Sequence, residues 1–303
     1  MQKKHKTIII LLLLHTMEGT GDRIVRHYAP FNETMRVLTA KVDFRRRYRM
    51  SCVAFRSLLA QALPVFVSFF NEAEDVKERA RNVAPRALAI MLRIFAGGAM
   101  LDVQEGHAVG HDYGYTLFWR MLASVDGVLR LQPFWQNLEE RSEAFAARTG
   151  GIMSGCVGCL DGLLVRIVKP SVANSAYYYC RKGFHCYNIQ AVCDHRYRFT
   201  FFSARAAGST HDATAFAMSD LSPRVHELGN YWIACDAAYP LGPNLIVPFK
   251  GKQLTTRKDS FNFYLSSIRI KIECAFGIMG NRFPLITHVI KLVSSFFSFK
   301  QPF

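Results

Sequence analysis

Apolar positions along this chain change their spacing once, and the change divides it. From Pro85 to about Leu131 they recur at helical intervals. Ala87, Ile90, Leu92, Ile94 and Phe95 form one apolar surface, which Gly97-Gly98 interrupts. A short segment surrounds Val103, and a third runs through Tyr115, Leu117, Phe118, Met121, Leu122 and Val125. Helix, short helix and a longer helix opened by His111-Asp112-Tyr113-Gly114 suits a helix-turn-helix, and equally an ordinary helical bundle. Upstream, residues 1–50 read as a helical lead-in ending in Phe44-Arg-Arg-Arg-Tyr-Arg-Met50. Its interleaved arginines and aromatics could grip phosphate and stack on bases. Alternatively Phe44, Tyr48 and Met50 pack inward beneath a solvated basic face.

After Phe145 the character changes. The polar stretch Glu139–Glu143 and then Thr149-Gly-Gly151 mark a boundary. Strand-like runs follow at Leu164–Val168, Tyr187–Cys193, Arg198–Ala204, Tyr231–Cys235 and Asn244–Phe249. A helix-like stretch, Asp212–Leu221, separates the third and fourth, and a longer one spans about Asn262–Met279. This order predicts an α/β domain with a mixed sheet over 151–285. An all-α region, 1–150, precedes it, with the candidate helix-turn-helix at about 86–131, and 286–303 forms a tail.

Charge narrows the partners. Lys and Arg number 38 against 23 Asp and Glu, a formal net charge of +15. A surplus of that size favours nucleic acid, with anionic membranes and acidic proteins as the other readings. Lys3, Lys4 and Lys6 before Ile8–Leu14 resemble a signal peptide, but no small-x-small cleavage site follows and seven apolar residues cannot span a bilayer. The run is read as part of a cytosolic or nuclear protein, with no membrane. The eight cysteines are scattered. Cys156-Val-Gly-Cys159 has zinc-knuckle spacing without a second half, so it reads as small residues in a strand entering Asp161.

Three carboxylates stand out. Asp161 lies in Gly155-Cys-Val-Gly-Cys-Leu-Asp-Gly162, and Asp236 ends the run Tyr231–Cys235. Both are expected at strand ends. Glu273 shares a helical flank with Ser266, Arg269 and Gly277, beside an apolar stripe of Ile268, Ile272, Ala275, Phe276 and Met279. Separately each has a plain structural reading: two turn formers and an Arg269–Glu273 surface pair. Together they could hold hard divalent cations, which take oxygen ligands.

Their surroundings resemble a known family. Asp161-Gly, Tyr179-Cys-Arg-Lys-Gly-Phe184, Gln190-Ala-Val-Cys-Asp194, Tyr197-Arg-Phe199, Gly208-Ser-Thr-His-Asp-Ala-Thr-Ala-Phe216, Asp236-Ala-Ala-Tyr239 and Glu273-Cys-Ala-Phe-Gly277 occur in that order. The series resembles the nuclease domain of PIF/Harbinger-type transposases, over roughly residues 155–283. The resemblance implies an RNase H-like fold and a catalytic triad of Asp161, Asp236 and Glu273. Asp212 is implied as a further acidic group beside the metal. It also implies a pair of Mg²⁺ or Mn²⁺ ions, one activating the attacking water or 3′-hydroxyl and one stabilising the leaving oxygen. Arg181, Lys182 and Tyr179 read as DNA contacts, with a basic hairpin entering a strand as the plain alternative, and Arg269 joins them. The implied function is metal-dependent DNA cleavage and strand transfer in the nucleus, possible homo-oligomerisation included, with a Myb/SANT-like partner sharing the recognition. A decayed or domesticated copy that binds DNA without cutting is the alternative. The tail Ile286–Phe303 departs from the family pattern.

Overall fold

A computed structural model describes residues 43–70, 73–129, 131 and 134–287, together with position 36. The signal-like run at 8–14 and the tail beyond residue 287 lie outside them. The described residues fall into two compact units, one of residues up to 129 with 280–287, the other of residues 131–279.

The first unit is helical. Its helix α1 (Phe44–Tyr48) buries Phe44 and Tyr48 and leaves Arg45, Arg46 and Arg47 exposed, so the aromatics of the basic run pack inward. Helix α2 (Cys52–Val67), which sequence patterning did not single out, is capped by Ser51, whose Oγ accepts the amide of Ala54 at 3.1 Å. Helix α3 (Glu74–Phe95) starts eleven residues before the apolar pattern does and carries Pro85 inside it. Its first half is held by charge rather than periodicity: Glu74 and Asp75 stand in the first turn and pair with Arg81 and Arg79. Helices α4 (Met100–Gly106) and α5 (His111–Val128) match the expected short and long helices. Phe55, Phe66, Leu88, Ile90, Met91, Leu117, Phe118 and Met121 fill the core. The helical class is as expected; nothing in the bundle distinguishes a DNA-reading helix-turn-helix.

His107, buried beside α4, ties two of these helices. Its Nδ1 lies 2.7 Å from the Val103 carbonyl and its Nε2 3.2 Å from the Tyr48 hydroxyl. A proton on Nδ1 satisfies both contacts with a neutral ring, because Tyr48 then donates to Nε2. Burial holds the imidazole below its ordinary pKa, and Arg47, Arg86 and Arg93 add to that against the Val103 bond. The depressed folded value means stability is full above about 6.5 and declines as pH falls below it, by up to about 1.4 kcal/mol per unit. Thermal melts at pH 7.5 and 5.5 check this: His107→Gln is expected to lose less between them than wild type.

The second unit is a five-stranded mixed sheet with helices on both faces. Helix α6 (Leu138–Arg148) leads into β1 (Cys156–Arg166), β2 (Cys186–Cys193) and β3 (Phe199–Ala207), an antiparallel meander. Helix α7 (Asp212–Ala217) and a 3₁₀ turn at Ser222–Leu228 come next. Then β4 (Trp232–Ala234) pairs parallel with β1, and β5 (Leu245–Ile246) parallel with β4. The order across the sheet is β3-β2-β1-β4-β5. The long helix α8 (Thr256–Arg282) closes the unit. Val157, Leu160, Val192 and Ile233 face α7 with Phe216, whereas Cys156, Cys159, Ala191 and Ala234 face α6 and α8 with Phe145, Leu265, Ile268 and Ile272.

The mixed α/β expectation therefore stands, with the expected strand 244–249 cut to the two residues of β5 and β1 corrected at its start. β1 begins eight residues before the expected Leu164, so Asp161 lies inside the strand rather than at its end. The Gly- and Cys-rich lead Gly155–Cys159 lacks the β-branched bulk that signals a strand. It is extended because β4 lies alongside it so closely that a Cβ on Gly155 would sit 2.8 Å from the Trp232 indole. Cys156 and Cys159 are buried there as free thiols, and the Cys159 Sγ lies 3.2 Å from the Ile268 carbonyl of α8. Among the described residues no helix is long and apolar enough to cross a membrane.

Candidate active site

Strand register places the first two carboxylates. Cys159 of β1 pairs with Ala234 of β4, and both face α8. Two residues onward on these parallel neighbours come Asp161 and Asp236, so alternation brings both side chains to that same face. Helix α8 packs there through Ile268 and Ile272, and Arg269 and Glu273 follow on its flank. The Arg269 guanidinium joins the two sides: Nη2 donates to Glu273 at 3.0 Å, and Nη1 reaches Asp161 Oδ2 at 3.5 Å.

Burial pushes the Asp161 carboxyl up to about 6. The Gly162 amide and Arg269 oppose that, while the negative charges of Asp236 and Asp212 add to it. The strand thus carries a carboxylate that is short of positive charge. One guanidinium supplies part of it, and a divalent cation would supply more.

The oxygen donors suit such a cation, but they do not form a ready cage. Among the described residues no three His, Cys, Asp or Glu side chains are grouped to hold a metal ion. The four expected ligands, Asp161, Asp212, Asp236 and Glu273, are each engaged locally. Asp161 Oδ1 accepts its neighbour's amide at 2.8 Å, and Asp236 Oδ1 turns onto the Ala238 amide at 2.5 Å. Glu273 is exposed and held by Arg269. Asp212 is reached from the opposite side of the sheet. A Cβ on Gly162 would sit 2.5 Å from Asp212 Oδ1 and 3.0 Å from Gln190 Nε2, which explains glycine beside Asp161.

That second side holds residues the sequence reading did not assign a role. Asn188 Nδ2 donates to Asp212 at 2.9 Å and to the Thr210 carbonyl at 2.9 Å. Gln190 Nε2 donates to Asn188 at 2.8 Å, and the buried Tyr239 hydroxyl donates to Gln190 Oε1 at 2.6 Å. The chain Tyr239–Gln190–Asn188–Asp212 ties the loop after β4, strand β2 and the start of α7 together under Asp161. Two amides at alternate positions of an otherwise apolar strand were the available signal.

Tyr179, Arg181 and Lys182 are exposed on a tight hairpin leading into β2. The Cys180 amide donates to the Phe184 carbonyl at 2.9 Å, and Gly183 supplies the positive φ of 82°. The hairpin lies at the Arg166 end of β1, where Arg166 pairs with Cys186 and stacks over Phe184 at 4.4 Å. Five residues of strand separate it from Asp161, roughly 17 Å. The structure does not bring it into the carboxylate group.

Residues 160–296 match the profile of the DDE superfamily endonucleases. By that match the segment is similar to the DDE superfamily endonuclease domains, a class with an RNase H-like fold. The match runs past Phe283, where the family resemblance was expected to fade, and takes in part of the tail. The chain is also 25% identical over 217 residues to a human protein (Homo sapiens) described as "Putative nuclease HARBI1". That alignment covers 68% of this chain and 60% of the relative's length. No solved structure matches the chain.

Proposed function

We infer that the chain is a Harbinger-type DNA endonuclease, a transposase or a domesticated derivative, that cleaves phosphodiesters and transfers strands from the carboxylates of Asp161, Asp236 and Glu273. The observation that supports this reading is the β1–β4 register: Cys159 pairs with Ala234 on the face covered by the helix of Glu273, and Asp161 and Asp236 each follow two residues on. The donor set suits one or two Mg²⁺ or Mn²⁺ ions, and DDE endonucleases as a superfamily use divalent metals. Such ions supply Lewis acidity at the scissile phosphate and an acidified water. Asp161, less exposed than Glu273 and raised by burial, would gain from a dication. Arg269, which reaches both Asp161 and Glu273, would offer its guanidinium fork to a DNA phosphate at the same place. Asp212, held by Asn188 and Gln190, keeps its charge close to Asp161 and works by positioning. Arg181 and Lys182, some 17 Å along the strand, fit the backbone about five base pairs from the cut. Nuclear action, a Myb/SANT-like recognition partner and homo-oligomerisation complete the reading.

A binding module without cleavage is the second reading, favoured by the absence of a ready three-carboxylate group among the described residues. Supercoiled plasmid separates the two. The first reading expects nicking by the purified chain in Mn²⁺ and none in EDTA. Retention of plasmid in both conditions, with no nicks in either, leaves only the module.

A further inference from the structure

The basic run that opens the helical unit lies outside the nuclease chemistry, yet it borders a cleft. A cavity of about 570 Å³ is lined by Arg46, Arg47, Arg49 and Arg93, with Asp43, Asp102 and His107 completing much of its wall. With His107 neutral, these side chains sum to two positive charges. Among the described residues none of the four guanidinium groups enters an ion pair, although two carboxylates share the wall. The Arg49 Nε is buried with no hydrogen-bond partner. Arg49 also stops α1 in the left-handed conformation, φ 60°, a position glycine or asparagine fills at lower cost. Behind the wall, His107 is bonded to the fully buried Tyr48, and the positive field of Arg47 and Arg93 reaches both rings.

We propose that this cleft is a phosphate-binding site, separate from the carboxylate group, that takes the phosphates of a DNA backbone or of a free polyphosphate. Planar guanidinium forks bind phosphate oxygens in pairs, and a cavity of this volume accommodates a nucleotide-sized ligand. The DNA source rests on the nuclease reading above; the site itself does not.

The test is fluorescence anisotropy of a labelled 20-base-pair duplex in EDTA, over a salt series, so that no cleavage intervenes. The double variant Arg46→Gln/Arg93→Gln is expected to weaken binding about tenfold and to lower the salt slope by about two. Arg45→Gln, on the same helix but outside the cavity wall, is the charge-matched comparison and is expected to change it less. Arg46→Gln alone, at an exposed position, serves if the double variant melts early. Pyrophosphate titrated by calorimetry supplies the second arm. Pyrophosphate binding lost in the double variant while duplex binding persists supports the site and assigns it to free polyphosphate. Unchanged duplex affinity and unchanged pyrophosphate binding overturn it. Because no arm requires cutting, a chain that never nicks plasmid still tests the cleft.

Discussion

Asp161→Asn is expected to abolish Mn²⁺-dependent nicking, by at least about 10³-fold, as loss of a group acting in a concerted catalytic set does. The same substitution is expected to leave the metal-free protein at least as stable as wild type. Asp161 sits inside a strand, largely shielded from water, and burial outweighs the help from Gly162 and Arg269, so its carboxyl titrates near 6. At neutral pH the folded protein therefore holds a charge that the unfolded chain would solvate better. Asparagine keeps the shape and removes that cost. Melts in EDTA, with and without added Mn²⁺, check both halves. Mn²⁺ should raise the melting temperature of wild type and not of the variant. A variant that nicks like wild type removes Asp161 from the mechanism; one that merely unfolds shows the carboxylate to be structural.

Asp194→Ala is expected to do the reverse, costing about 1.5–3 kcal/mol of stability, as loss of hydrogen bonds to a buried charged group does. Asp194 is fully buried at the turn between β2 and β3. Its Oδ1 accepts the amides of Arg196 and Arg198 at 2.8 and 2.9 Å, and its Oδ2 accepts Arg198 Nε at 2.8 Å. It also faces Arg141, buried on α6, whose guanidinium donates to the Phe134 carbonyl at 2.9 Å. Alanine strips these three hydrogen bonds and the Arg198 Nη2 contact from the hairpin, and removes the larger of the two negative charges acting on Arg141. Against a total stability of about 5–15 kcal/mol that is a large fraction. Chemical denaturation measures it, and nicking per folded molecule at low temperature should survive. A loss under about 1 kcal/mol would show that water replaces these bonds.

The two aspartates look alike in the chain. Asp161 and Asp194 each follow an apolar run containing cysteine, and each belongs to a stretch shared with Harbinger-type nucleases. Only the number and kind of donors around each separates a carboxylate short of positive charge from one saturated with it. Those donors come from residues up to 108 positions away in the case of Arg269 and Asp161.

Local spacing alone was sufficient for the helices α4, α5 and α8, for strands β2 and β3 within a few residues, and for the stripe of Ile268, Ile272 and Ala275 that docks α8. Each depends on neighbours three or four positions away, or two in a strand, and such periods are visible in a linear string. The order of motifs likewise pointed to Asp161, Asp236 and Glu273. Tertiary structure decided the rest. The lead into β1 is extended because β4 lies against it. Asp236 stands beside Asp161 because Cys159 meets Ala234, and Arg269 bridges two carboxylates because α8 packs on that face. Asn188, Gln190 and Tyr239 form one chain with Asp212 only once β2, α7 and the loop after β4 meet. Register and cross-element partners are set by what a segment packs against, and a segment does not carry that information in its own spacing.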